Sequence, residues 1–247
     1  MSAWRFLLRV HLWAGVLLGV QLFLWMLSGV VMTWFDLDLV RGERGAFTPA
    51  PIELETTSYA SPGGVIAQSN GATRLELRTF LGRPVYEVED VDGEALFDAR
   101  SGARISPITE EQARNVAEDD FVGDAEIMSI ALLDDPPQEY RGAAPVWRAD
   151  FDDRLRTRLY VSPATGEIAA RRNAVWRLYD FFWMLHIMDY GERKNFNNPL
   201  VKTASAAGLV FAVSGLALVV MRNGRRKIVR DVRRLAPGQK RKAASDD

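Results

Sequence analysis

Apolar residues are distributed along this chain in three distinct ways. From Leu12 to Phe35 there are 24 residues without a charge, and from Thr203 to Met221 another 19. Roughly 20 apolar helical residues cross the hydrocarbon core of a bilayer, so this pattern predicts a transmembrane helix near each end. Between them the period falls to two. Thr73–Phe80 and Pro84–Val88 alternate apolar and polar residues, and Leu96-Phe97-Asp98 runs into a turn at Ala99–Gly102, which predicts strands. Further strands are predicted around Glu126–Leu133, Pro145–Phe151 and Thr157–Ser162, ending in the turn Pro163–Gly166. Thr109–Asp120 reads as a helix, with Thr109 as N-cap and Gln112 three residues on to complete a capping box. A loop-rich linker is expected around Pro49, Pro51, Ser58, Ser61, Pro62 and Gly63-Gly64, with a short helix near Val65–Gln68.

The two strand sets resemble each other. Pro84-Val85-Tyr86 matches Pro145-Val146-Trp147, and Leu96-Phe97 with Ser101-Gly102 matches Leu159-Tyr160 with Thr165-Gly166. Each set reads as a helix followed by an antiparallel three-strand meander. A single unit of about 50 residues has a thin core, so two packed together are more stable. Chance is the competing explanation, because strand–turn–strand patterns are common.

Charge orients the picture. Asp36–Arg172 holds 26 acidic and 15 basic residues, and Arg222–Asp247 holds 10 basic and 3 acidic, so the overall −1 averages two opposite segments. Lys and Arg near span ends stay on the cytoplasmic side. Arg5 and Arg9 before the first span, and the tail after the second, therefore predict both termini inside and the acidic body outside. The tail reads as a lipid-facing orientation signal rather than a nucleic-acid contact. The first apolar run exceeds the 7–15 residues of a secretory signal and exits through Thr33-Trp34-Phe35-Asp36, without a small-x-small cleavage site, so an uncleaved anchor is expected.

The expected organisation is a membrane-anchored α+β protein. It has a cytoplasmic N-terminus (1–11), a first transmembrane helix (12–35), and a periplasmic domain (36–172) of two units near 58–105 and 109–170. An interfacial aromatic helix and turn (173–200), a second transmembrane helix (201–221) and a basic cytoplasmic tail (222–247) follow. There are no cysteines, which excludes disulfides, iron–sulfur clusters, thiolate zinc sites and covalent haem attachment. The residues show no phosphate-binding glycine loop and no dinucleotide fingerprint. The central domain has no histidine to activate a serine. Glu87, Glu89, Asp90 and Asp92, or Glu118-Asp119-Asp120, offer oxygen ligands for a divalent cation, but exposed loops explain them better.

Several segments resemble PepSY and PepSY-associated membrane proteins. Tyr160–Ile168 is similar to the closing signature of PepSY domains, and Leu96–Gly102 to a weaker copy. Arg9–Gly15 followed by Leu27-Ser28-Gly29 resembles the opening helix of the membrane family. Leu185-His186, Gly208-Leu209 and Ser214-Gly215-Leu216 resemble its closing part. That family includes inner-membrane siderophore-iron reductases with b-type haem, usually with four spans where this chain has two. The resemblance implies haem b, ferric or siderophore-iron reduction, and an electron donor that the residues do not name.

Only His11 and His186 exist as histidines. His11 stands at the inner mouth of the first span, with Gly15 and Gly19 four and eight residues beyond it. Two readings stand side by side: a helix-packing groove, since small residues let helices approach, or an axial haem ligand with Gly15 and Gly19 admitting the porphyrin. His186 lies in the aromatic segment Ala174–Tyr190, where Trp183 shares its side. That segment reads as a helix at the outer membrane surface, either a belt sealing the domain to lipid or a cofactor wall. At 1.5 Å per residue the first span is about 36 Å long, so one iron cannot take both histidines of one chain. A homodimer would supply a matched pair at each depth. The alternatives are a non-enzymatic membrane-tethered binding or regulatory module, and an accessory subunit of a larger membrane complex.

Overall fold

The computed structural model describes residues 3–43 and 59–235. The linker positions Pro49, Pro51 and Ser58, and the tail beyond residue 235, lie outside the described residues. The chain divides into two compact units, Met1–Val30 with Trp183–Asp247, and Val31–Phe182.

In the first unit, helix α1 runs Ala3–Trp34 and helix α6 runs Pro199–Leu235, of which Trp4–Trp34 and Pro199–Gly224 are long and apolar enough to span a membrane. Only 6% and 11% of their most apolar windows are buried within the protein. A core helix of a soluble fold would be covered, so these two are membrane helices. Both start ahead of the uncharged runs Leu12–Phe35 and Thr203–Met221; α1 stops at Trp34, one residue short of Phe35, while α6 continues past Met221. α6 starts where Asn198 Oδ1 accepts the Val201 N–H at 2.9 Å, with Pro199 at the first helical position, where its missing N–H costs nothing.

In the second unit, a short helix α2 (Leu37–Arg41) is N-capped by Asp36, and α3 covers Pro62–Ile66, slightly ahead of the expected Val65–Gln68. Strands β1 (Arg74–Phe80), β2 (Arg83–Asp90) and β3 (Gly93–Asp98) form an antiparallel sheet in that order. Helix α4 (Glu110–Asp120) begins with the capping box expected of Thr109 and Gln112. A second antiparallel sheet orders β4 (Ile127–Leu133), β5 (Val146–Phe151), β6 (Arg158–Val161) and β7 (Ile168–Arg172).

The second sheet thus has four strands, where a three-strand meander was expected. β7 (IAARR) lacks a clear alternation; it follows the turn at Pro163–Gly166 and pairs antiparallel with β6. The two turns are alike in detail. Gly102 N–H donates to the Asp98 carbonyl and Gly166 N–H to the Ser162 carbonyl, both at 2.8 Å, with the glycines at φ 74° and 67°. Asp98 therefore corresponds to Ser162, and Leu96-Phe97 to Tyr160-Val161, one residue later than the sequence match suggested. Tyr86 pairs with Phe97 and Trp147 with Val161, so the match of Pro84-Val85-Tyr86 to Pro145-Val146-Trp147 agrees with this register.

One core joins both sheets to α4: Phe80, Val85, Leu96, Ile108, Ala113, Ala117, Ala149, Phe151, Leu159 and Val161. α4 is polar overall, and its fully buried Ala113 and Ala117, one turn apart, let it lie close to the sheets. Across the join, Ile108 N–H donates to the Pro163 carbonyl at 2.8 Å, and Phe80 packs directly on Gly166.

Helix α5 (Ala174–Ile187) is N-capped by Asn173, whose Oδ1 accepts the Trp176 N–H at 2.7 Å. It ends three residues short of the expected Tyr190, because Met188 turns into the left-handed region at φ 54°.

Candidate functional site

Both histidines lie in the unit that carries the membrane helices. His11 on α1 faces α6. Its Nδ1 is 2.9 Å from Ser214 Oγ, and its ring stacks on Phe211 with centroids 4.3 Å apart and planes inclined by 2°. Small residues make this approach possible. A Cβ on Gly15 would meet Phe211 Cε2 at 3.0 Å, and one on Gly215 would meet His11 Cε1 at 2.8 Å. Further along, Gly208 receives Trp25 and Leu22. The seam therefore combines small residues and aromatic rings, the usual way for helices to pack closely where the hydrophobic effect between them is weak.

Gly15 belongs to this seam, and the space beside it is taken by Phe211. Gly19 does not: a Cβ there would meet nothing within 4 Å. The α-helix advances 100° per residue, so a step of four drifts by about 40° and a step of eight by about 80°. The histidine and the first glycine stay together while the second rotates away.

His186, near the C-terminus of α5, lies at the other end of α1. Its Nδ1 is 2.9 Å from Ser28 Oγ, and Ser28 is fully buried. The last carbonyls of a helix lack intrahelical partners. Here side chains supply them: Trp25 Nε1–H donates to the His186 carbonyl at 2.8 Å, Gln21 to that of Leu185 at 3.5 Å, and Asn198 to that of Ile187 at 2.9 Å. Trp183 donates its Nε1–H to the Arg193 carbonyl at 3.2 Å, tying α5 to the turn that follows. In that turn Asp189 accepts backbone N–H groups from Asn195 at 2.9 Å and Lys194 at 3.0 Å, and these bonds, that of Asn195 foremost, hold its carboxyl below the usual carboxylate range.

On α1 the two histidine contacts fall at positions 11 and 28, about 25 Å apart along the axis at 1.5 Å per residue. His11 and His186 do not meet. Ser28 and Ser214, which stand in the motifs that resemble the family, and Phe211, Trp25 and Gln21, which stand in none, complete both places. Their signal was a polar or bulky residue inside an otherwise aliphatic span, which alone does not say what it faces.

The family description "PepSY-associated TM region" matches residues 8–246. The chain belongs to this family. No curated protein and no solved structure matches it. Among the described residues of this PepSY-associated protein, no three His, Cys, Asp or Glu side chains cluster as a metal site. The donor chemistry suits haem: each imidazole is tied through Nδ1 and has a second ring nitrogen to offer. His11 and His186 would be those ligands, one per level, with the ring of Phe211 behind His11. A bound haem would supply one-electron redox chemistry.

The central unit has a charged centre of its own, around Glu139. Its carboxylate accepts from Arg158 at 3.0 Å, Tyr160 at 2.8 Å and Arg177 at 2.8 Å, while Arg172 Nε–H donates to its backbone carbonyl at 2.6 Å. Burial alone would raise the Glu139 pKa, but hydrogen bonds from Arg177, Arg158 and Tyr160 outweigh it and hold it at about 2. Arg172 in turn lies over the Trp176 ring at 4.2 Å. Glu139 thus joins its loop to β6 and α5, which makes it a structural tie.

Proposed function

We propose that this protein is an inner-membrane electron-transfer component that binds haem b through His11 and His186 and passes electrons across the membrane toward an outer acceptor such as ferric or siderophore-bound iron. The observation that carries the reading is that both of the chain's histidines are anchored to the membrane helices by the same ring atom, at two levels about 25 Å apart. A histidine among membrane spans is a functional candidate by default, and family membership points the same way. Each level offers one imidazole of this chain, and a second copy across a two-fold axis would supply its counterpart. The charge distribution supports cytoplasmic termini and a periplasmic central domain, which we read as two PepSY-like units. The electron donor is another protein or a quinone, and nucleic acid has no part in the reading.

Purified full-length protein from haem-supplemented expression, in detergent, should give b-type bands in its reduced-minus-oxidised spectrum. His11→Ala and His186→Ala should each remove part of the signal. A spectrum without those bands would refute the haem reading and leave a membrane-tethered binding module or an accessory subunit. A compartment-sensitive reporter fused near position 120 tests the orientation independently; activity in the cell interior would reverse it.

A further inference from the structure

Each histidine is backed by a serine whose only proton is already engaged. Ser214 Oγ–H donates to the Phe211 carbonyl at 2.8 Å, and Ser28 Oγ–H to the Trp25 carbonyl at 3.0 Å, three residues back on its own helix in both cases. A hydroxyl has one hydrogen and two lone pairs. What meets Nδ1 at 2.9 Å is therefore a lone pair, and the contact is a hydrogen bond only when Nδ1 carries the hydrogen. A neutral imidazole has a single N–H, so the lone pair then belongs to Nε2.

The same atoms recur in the same roles on different helices: Ser214 on α6 serves His11 on α1, and Ser28 on α1 serves His186 on α5. Ser28 and Ser214 are both buried polar residues in largely apolar helices. A hydroxyl is a suitable partner there, because it fixes a tautomer without placing a carboxylate charge in the bilayer.

We propose that Ser28 and Ser214 are positioning residues that hold His186 and His11 in the Nδ1–H tautomer and so present Nε2 as the electron-pair donor. Its purpose rests on the haem reading above; its content rests on the hydrogen-bond geometry alone. The serines do not touch the group to be bound. They act through the imidazoles, as the outer partners of ligating histidines do.

With two histidines in the chain, ¹⁵N-histidine labelling gives only two pairs of ring signals, assigned with His11→Ala and His186→Ala. The full-length protein in detergent, without added haem and at a pH of about 8, above the ordinary histidine value, should show protonated Nδ1 and unprotonated Nε2 at both residues. Ser214→Ala should move the hydrogen toward Nε2 at His11 only, and Ser28→Ala at His186 only. Ser→Thr at either position, which keeps the hydroxyl, should restore the original pattern. In haem-loaded protein the alanine variants should retain haem about 10- to 100-fold more weakly. Nε2–H signals in the unsubstituted protein, or patterns unmoved by the alanine variants, would overturn the assignment. Should an alanine variant fail to fold, the unsubstituted protein's own signals decide. The expected tautomers in a protein that never takes up haem would uphold the positioning role and overturn only the haem reading.

Discussion

Gly215 and His11 are complementary in shape: a Cβ built on Gly215 would come within 2.8 Å of His11 Cε1. That distance is shorter than non-bonded carbons tolerate, so the imidazole occupies the space that a side chain at 215 would take. Because the ring is also stacked on Phe211 and bonded to Ser214, it has little freedom to yield.

Gly215→Ala should therefore displace His11 from Ser214, whereas Gly19→Ala, with nothing within 4 Å of its Cβ position, should leave it in place. The His11 ring ¹⁵N signals of labelled protein check this. A shift caused by the alanine at 19, and none by that at 215, would contradict the packing described here. Close-packing substitutions of this kind cost about 1–3 kcal/mol, and thermal unfolding in detergent should show the cost at 215 only.

Glu139 makes a prediction about acid. Its carboxyl titrates at about 2 in the folded protein against an ordinary 4.5. A depressed folded value means that the ionised form contributes stability above the unfolded pKa, and that this contribution is lost as pH falls from about 4.5 toward 2. Glu139→Gln should remove hydrogen bonds between charged groups, each worth about 1.5–3 kcal/mol. It should lower Tm at neutral pH and flatten the fall in stability over that window. Melting curves of both forms between neutral and acid pH decide the matter; parallel curves would show that Glu139 is not the group responsible.

Gly166 and Gly82 separate packing from backbone strain. Both have positive φ, 67° and 72°, but a Cβ on Gly166 would collide with Phe80 Cε2, while one on Gly82 would meet nothing within 4 Å. Gly82→Ala should cost only the left-handed backbone penalty of about 1–2 kcal/mol. Gly166→Ala adds overpacking of about 1–3 kcal/mol and should part the join between the two sheets. The measured difference in Tm between the two variants tests this. Equal losses would mean that Phe80 does not seal the join.

Much of the architecture was legible in the chain. Length and absence of charge identified both membrane helices, alternation in two segments and strand patterns leading into turns in four more located six of the seven strands, and the Thr109–Gln112 pair marked the start of α4. β7 escaped because its sequence, IAARR, has no alternation to read. The repeat match was one residue out in its second half. Residue type pairs Leu96-Phe97 with Leu159-Tyr160, whereas hydrogen bonds from Gly102 and Gly166 fix the register.

At the candidate site the sequence supplied the two histidines and their separation in depth. It did not supply their partners. Ser214 is 203 residues from His11, and Ser28 is 158 from His186. Hydrophobic length, charge and capping are local properties, written in consecutive residues and dictated by the bilayer's thickness and by unsatisfied backbone groups. Which hydroxyl meets which ring nitrogen depends on the rotation and approach of helices distant in the chain, and only packing fixes those. That is why membership of a membrane class could be read directly, while the orientation of each imidazole awaited the tertiary structure.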